Sequence, residues 1–274
     1  MLSAICTYVG KTTTFGTDVY ANEEVMKCDL KISISSVVPH PMNGFGGAGK
    51  IILPGVTSFE TTAQNHQSHN ESMKEHQDRP VAGMGVFDDN PLRFDIEEAA
   101  TLAGLGFTIN CIINLWGETV ALYAGALKPS YAAAVKEAKA NYLTPKTEVK
   151  NVAISIGFSK SNEAFIGASI AYRTVSHENS DVVIIANNPE GLVTHYLLGP
   201  FGTTGKPSRI PDFVNHLIVY SEYPDFAGRG WFGDSDKLLF LHMWDDVIQV
   251  LPQSHGVDTI VAVYPNSEIQ YWDA

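Results

Sequence analysis

The sequence has little positive charge: 18 Lys and Arg stand against 30 Asp and Glu, a formal net charge of -12. A general nucleic-acid binder needs a basic stripe to neutralise phosphates, and an anionic membrane surface attracts the same residue types, so neither partner class is expected. Acidity does not exclude a small carboxylate or phosphate held at one local site. Cysteine is scarce too. Cys6, Cys28 and Cys111 are odd in number and none has CxxC spacing, so they read as packing residues of a reduced, cytoplasmic protein. No apolar run approaches the roughly 18 residues of a membrane span. The opening residues, MLSAICTYVGKTTTFG, lack the basic start and apolar core of a secretory signal. No internal repeat or low-complexity tract is visible. What is present is 45% hydrophobic and 18% charged residues, enough to bury a core in one large domain or two ordinary ones.

CDLKISISSVV (28–38) is β-branched and alternating, so it predicts a strand, and the glycine-rich GFGGAGKI (44–51) follows it. The next stretch predicts a helix with Thr57 as N-cap and Glu60 closing a capping box, and DIEEAATLAGLG repeats that pattern with Asp95 and Glu98. FTINCIINL and TVALYAG read as a hairpin around WGE. SYAAAVKEAKANYL places Tyr131, Val135, Ala138 and Tyr142 on one helical face. The polar, proline-bearing stretch 144–150 reads as a joint. Beyond it strands at NVAISIGF, DVVIIANN, HLIVYSE and TIVAVYP alternate with helices at NEAFIGASIAYRTV and WDDVIQVLPQS, and a long loop covers 198–212. The fold expected is therefore two α/β domains, 1–143 and 144–274, with mostly parallel sheets.

GFGGAGKI nearly spells a phosphate-binding loop, G-x-x-x-x-G-K-[ST], but Ile51 stands where the magnesium-holding hydroxyl belongs. KIILPG also looks extended rather than helical, so nucleoside triphosphate hydrolysis is not expected. Glycines at 44, 46, 47 and 49 still allow close backbone approach, or simply make a turn that leaves Lys50 in solvent. Histidines cluster nearby. His40 precedes the loop, and His66, His69 and His76 fall within roughly 80° of one another on the predicted helix. That stripe could face a metal or be a solvated polar face. His195 and His242 read as structural.

The stretch from KTTTFGTDVYANEEVMKCDLKISISSVVPHPMNGFGGAGKIILPGVTSFETTAQNH resembles the lactate racemase family: a His, a glycine loop closing on a Lys, then ILPG, then ET…NH. His40, Lys50 and His66 occur in that order at intervals of ten and sixteen. NPLRFDIEEAATLAGLGFTINCIINLWGETVALYAGALKPSYAAAV is also similar, and the likeness continues weakly to the C-terminus. The resemblance implies a nickel-pincer nucleotide (a pyridinium dithiocarboxylic acid mononucleotide with nickel) joined to the Lys50 amine. Gly46 and Gly47 would sit close to it, and His66 would ligate nickel. His40 would be one of two histidines exchanging the hydroxyl proton of a small 2-hydroxy acid while its α-carbon hydride moves to the cofactor and back. A soft donor set with imidazole suits nickel, and lysine can become a nucleophile where arginine cannot.

The family also has an N-terminal portion that carries the second catalytic histidine. The resemblance begins beyond it, so the sequence reads either as one subunit of a split enzyme, whose partner is a second chain supplying that part, or as a C-terminal piece or degenerate half of the family pattern. On the helix that grips substrate in lactate-specific members, Phe165, Ile166 and Ser169 occupy the anchoring positions. The implied substrate is thus a different hydroxy acid, with Arg173, Lys160 or Lys206 as possible anchors. Two alternatives stand beside the racemase or epimerase: a non-catalytic or cofactor-binding member of the family, and a simple metal site on the His66/His69/His76 face.

Overall fold

The computed structural model of the chain describes residues 5–76, 80–158, 160–175, 178–194, 197, 207–223, 227–233 and 235–272. The chain divides into two compact units, one running to Leu143 and one from Thr144 to Trp272. Most of the loop expected at 198–212, with His195 and Lys206, lies outside the described residues.

The first unit opens with an antiparallel pair not foreseen from sequence, β1 (Cys6–Lys11) and β2 (Asp18–Asn22), followed by the short helix α1 (Glu23–Met26). Strand β3 (Ile32–Ser36) leads to a small hairpin of β4 (Pro39–His40) and β5 (Gly44–Phe45). Helices α2 (Phe59–Glu75) and α3 (Pro91–Leu102) come next. The expected hairpin follows as β6 (Phe107–Ile113) and β7 (Thr119–Gly125), then helix α4 (Leu127–Tyr142). Its residues Tyr131, Val135, Ala138 and Tyr142 are buried, as the period implies. Strand β3 pairs parallel with β6, and β6 pairs antiparallel with β7. The polar face of this sheet is the inner one. Ser33, Thr108 and Asn110 are buried, and Thr108 and Asn110 hydrogen-bond Ser130 of α4 at 2.7 and 3.2 Å. Ile34 (68% exposed), Ile32, Phe107, Val120 and Leu122 (57%) face outward.

Both capping assignments shift. Ser58, not Thr57, caps α2, accepting from Thr61 N at 3.2 Å. Asn90 caps α3, with Pro91 in the first turn, where a missing N–H is harmless. Asp95 and Glu98 therefore lie within α3 and serve another purpose. Glu98 accepts from the backbone and hydroxyls of Thr13 and Thr14. Fully buried Asp95 accepts from Phe15 N at 3.1 Å, and from Thr17 Oγ1 and Asn65 Nδ2, each at 2.8 Å.

The second unit is a five-stranded, wholly parallel sheet in the order β11-β10-β9-β8-β12. The strands are β8 (Val152–Ile156), β9 (Ser180–Ile185), β10 (Val214–Tyr220), β11 (Leu238–Leu241) and β12 (Val261–Tyr264), with helices α5 (Phe165–Thr174) and α6 (Trp244–Val250) between them. Val182 and Ile184 pack to one side and Val183 to the other, which is why β9 reads as an unbroken apolar run. Asp181, at the start of β9, is fully buried and held by His216 N (2.7 Å) and His255 Nε2 (2.8 Å). Strand β11 was not anticipated, because LLFL has no alternation.

Replacing Asp95 by Ala removes three buried acceptor contacts and strands two side-chain donors. We expect a loss of about 2–4 kcal/mol in denaturant unfolding of the first unit, with Asp95→Asn intermediate.

Candidate functional site

The site is built on the chain between β3 and α2. Pairing of His40 with Gly44 across the β4–β5 hairpin turns residues 41–43 back beneath the imidazole. The backbone N–H groups of Met42 and Asn43 donate to His40 Nδ1 at 3.2 and 3.3 Å. Contrary to the extended reading of KIILPG, residues Ala48–Ile51 form a 3-10 turn. Within it Lys50 N donates to Gly47 O at 3.0 Å, and Lys50 O accepts from Gly55 N at 3.1 Å, so the lysine's backbone is fixed on both sides. Its side chain is half-buried and places Nζ 2.7 Å from His40 Nε2. The structure thus brings two of the anticipated residues into direct contact.

The glycines answer mainly to protein neighbours. Gly47 has φ of +89°, and a Cβ there would lie 2.9 Å from Ser36 O. A Cβ on Gly44 would lie 2.2 Å from Val86 O, and one on Gly49 would meet Ile96 and Ala100 of α3 at 3.3 Å. Only Gly46 has ordinary room, with its nearest neighbour at 3.7 Å. Of the four, its bareness alone is not required by a close protein contact.

His66 stands on α2 beside Asn65, whose amide reaches Asp95. His66 Nδ1 lies 3.0 Å from Thr62 O. A carbonyl only accepts, so Nδ1 carries the proton and Nε2 presents the lone pair, the arrangement a metal-ligating imidazole requires. The three-histidine stripe does not hold together as a site. His69 is buried, and burial pushes its pKa down to about 4. His76, at the C-terminal end of α2, makes the same contact as His66, Nδ1 to Ser72 O at 2.9 Å. Among the described residues no three His, Cys, Asp or Glu side chains are placed to hold a metal ion. His242 is structural, bonded to Ser221 O at 2.8 Å.

On α5, Phe165 stacks on Trp231 with centroids 5.3 Å apart, and Ile166 is buried, so these two positions serve the core of the second unit. Arg173 reaches Trp272 O at 3.4 Å, and Lys160 N bonds the Glu268 carboxylate at 2.8 Å. Sequence reasoning missed Met42, Asn43, Thr62 and Asp95. The i−4 relation of Thr62 to His66 was a readable signal. The backbone donors at 42 and 43 follow from a turn that side-chain identity does not announce.

Two outcomes follow. Gly47→Ala should cost at least about 1–3 kcal/mol from backbone strain alone, whereas Gly46→Ala should alter thermal stability by about 1 kcal/mol or less. His69 is held neutral in the folded state to about pH 4, against 6.5 when unfolded. Stability from this group is complete above pH 6.5, declines as pH falls toward 4 and is flat below. His69→Leu should remove about 2–3 kcal/mol of that pH dependence in denaturant titrations.

Comparison with known proteins finds the following likenesses. Residues 3–78 match the lactate racemase N-terminal domain. The lactate racemase of Thermoanaerobacterium thermosaccharolyticum is 33% identical over 114 residues, which is 42% of this chain and 25% of that protein. The lactate racemase of Lactiplantibacillus plantarum is 29% identical over 116 residues, 42% of this chain and 26% of that protein. In fold, the lactate racemase apoprotein from T. thermosaccharolyticum superposes with a TM-score of 0.73 at 16% identity, covering 99% of this chain and 69% of that one. A crystal structure of a Thermotoga maritima protein superposes with a TM-score of 0.63 at 15% identity, covering 98% of this chain and 76% of that one. The likeness to the lactate racemases therefore holds in the family model over residues 3–78, in aligned sequence over stretches of 114 and 116 residues, and in fold over nearly the whole chain.

Proposed function

We propose that this chain is the cofactor-bearing part of a racemase or epimerase of a small 2-hydroxy acid that uses a nickel-pincer nucleotide. The observation that carries the reading is the 2.7 Å contact of Lys50 Nζ with His40 Nε2 inside the stretch that matches the lactate racemase N-terminal domain. The residues present fit such a group. Lys50 offers a primary amine for the covalent bond, and His66 offers an imidazole whose tautomer is already fixed for a metal. A lone protein ligand is sufficient where the nucleotide brings the remaining donors. When bound, the group supplies an acceptor for the hydride on the substrate's α-carbon.

The chain's own residues do the remaining work. His40 exchanges the substrate's hydroxyl proton at Nε2, the nitrogen turned toward Lys50. The 3-10 turn holds Lys50 at a fixed distance from that ring. Gly46 leaves room for a flat ligand beside the pair. The apolar first turn of α5 supports a substrate other than lactate, because Phe165 and Ile166 pack inward and offer no charge to a carboxylate. The outward apolar face of β3, β6 and β7 supports a further polypeptide segment packing there, either in the same chain or in a second one that brings the partner base.

The test is the intact mass and nickel content of the protein produced together with the enzymes that make the pincer nucleotide. The wild type should carry an adduct mapping to Lys50, and Lys50→Ala should carry none. His66→Ala should lower nickel affinity roughly tenfold or more, with His76→Ala near wild type. An adduct retained by Lys50→Ala, or equal nickel loss in the two histidine variants, would overturn the assignment.

A further inference from the structure

We propose that His216, backed by the buried carboxylate of Asp181, is a phosphoryl-accepting imidazole in the second unit. This site is independent of the racemase reading, since none of its residues lies in the stretch that carries His40, Lys50 and His66.

The sheet makes the position. Val214 of β10 pairs with Ser180 of β9 and His216 pairs with Asp181, so Asn215 is an extra residue on β10. Such a bulge is rare between parallel strands, and bulges re-aim side chains. Here the His216 N–H is given to Asp181 Oδ1 at 2.7 Å. The ring follows, with Nδ1 3.1 Å from the same oxygen. The other oxygen, Oδ2, accepts from His255 Nε2 at 2.8 Å. The side chain of Asp181 is fully buried and that of His255 is 6% exposed, but 26% of the His216 side chain meets solvent.

Hydrogen-bond polarity fixes the tautomer. A carboxylate only accepts, so His216 Nδ1 carries the ring proton and Nε2 has the lone pair. A bare Nδ1 would set its lone pair against Oδ1. Asn215 Nδ2 is placed 3.0 Å from Nδ1 and 2.7 Å from Ser254 Oγ. The second distance is the usual length of an O–H···O bond. A half-turn of the amide puts its oxygen there, where it accepts from Ser254 and shares the Nδ1 proton. Asn215 then agrees with the tautomer that Asp181 imposes. Among the described residues nothing bonds His216 Nε2. Nδ1 is turned into the protein, so the open edge of the ring is the one with Nε2.

A buried carboxylate behind an imidazole does two things: it orients the ring, and it stabilises the positive charge the ring acquires in a reaction. A phosphoryl group needs one open nitrogen and no second protein donor. The donor class is a small activated phosphate, a phosphoramidate or an acyl phosphate. Nε2 attacks phosphorus, the Nε2–P bond forms, and the bond from phosphorus to its leaving group breaks. With phosphoramidate the leaving group is ammonia, which departs with its own hydrogens. The ring keeps the Nδ1 proton and becomes cationic, and that charge develops against Asp181. An imidazole whose Nδ1 faces a neutral carbonyl lacks this help. His76 is such a ring, half-buried like His216, with Nδ1 2.9 Å from Ser72 O.

The experiment incubates the full chain with potassium phosphoramidate at about pH 8, above the ordinary imidazole value, and follows phosphate on each histidine by peptide mass spectrometry. His216 should react roughly tenfold or more faster than His76. Phosphorus-31 NMR should place the phosphate on Nε2. Nitrogen-15 spectra of histidine-labelled protein should show the His216 ring proton on Nδ1, the less common tautomer of a free histidine side chain. Asp181→Asn, which keeps the shape and removes the charge, should bring His216 to the rate of His76. His255→Gln, which leaves the carboxylate facing His216, should keep most of the wild-type rate. An equal fall in both variants would mark the cluster as structural only and overturn the proposal. So would His216 reacting no faster than His76, a phosphate on Nδ1, or a ring proton on Nε2, and these measurements on the wild type need no variant to fold.

Discussion

The buried carboxylate of Asp95 organises the first unit. One oxygen receives Phe15 N, and the other receives Thr17 Oγ1 and Asn65 Nδ2. It thereby ties α3 to the link between β1 and β2 and to the middle of α2. A charge this deep survives only when its lone pairs are met, so the three donors hold their positions as firmly as the charge needs them. Asn65 is the neighbour of His66. Beside Asp95 and one turn on in α3, Ile96 and Ala100 lie against Gly49, the neighbour of Lys50. One helix thus sets the place of the segment carrying the amine and of the segment carrying the second imidazole, although it contributes no reactive group to either. Glu98 extends the same clamp to Thr13 and Thr14. Burial alone would raise its pKa, but the hydrogen bonds from those two threonines outweigh burial and hold it below the usual carboxylate value.

The two site histidines are prepared in opposite senses, and in both cases by the backbone. At His40 two N–H groups make Nδ1 the acceptor, which puts the ring proton on Nε2. At His66 the Thr62 carbonyl makes Nδ1 the donor, which puts the lone pair on Nε2. One ring is set to give a proton and the other to give electrons. Side-chain partners could titrate and blur that distinction. Peptide groups cannot.

Much of this architecture was legible. The alternating and continuous apolar runs gave the hairpin of β6 and β7 and four of the five strands of the second unit. The helical period gave the buried face of α4. The family resemblance rested on His40, Lys50 and His66, and of these the structure joins His40 and Lys50 by a hydrogen bond. What failed did so for a common reason: a short polar residue has several uses that sequence spacing does not separate. Asp95 and Glu98 have the spacing of a capping box, yet Asn90 caps the helix and the acids reach residues some eighty positions away. The histidines at 66, 69 and 76 share an angular sector, yet His69 is buried, and His66 and His76 each bond the carbonyl four residues back. Strands β1 and β2 went unseen because β1 mixes threonine, tyrosine and glycine without a clear face and β2, though it alternates, is only five residues long.

The contrast between the two sheets carries the last step. In the second unit β9 buries apolar side chains on both faces, and its strands satisfy one another's backbone in parallel. In the first unit β3 and β6 turn Ser33, Thr108 and Asn110 inward and Ile32, Ile34 and Phe107 outward. Alternation identified β3 as a strand without saying which face is covered. A sheet that buries hydroxyls and exposes isoleucines is stable as a surface only when those isoleucines meet something apolar, since large apolar patches are rarely left to water. The inverted polarity of this sheet makes its outward face, with Ile32, Ile34, Phe107, Val120 and Leu122, the apolar surface of the first unit.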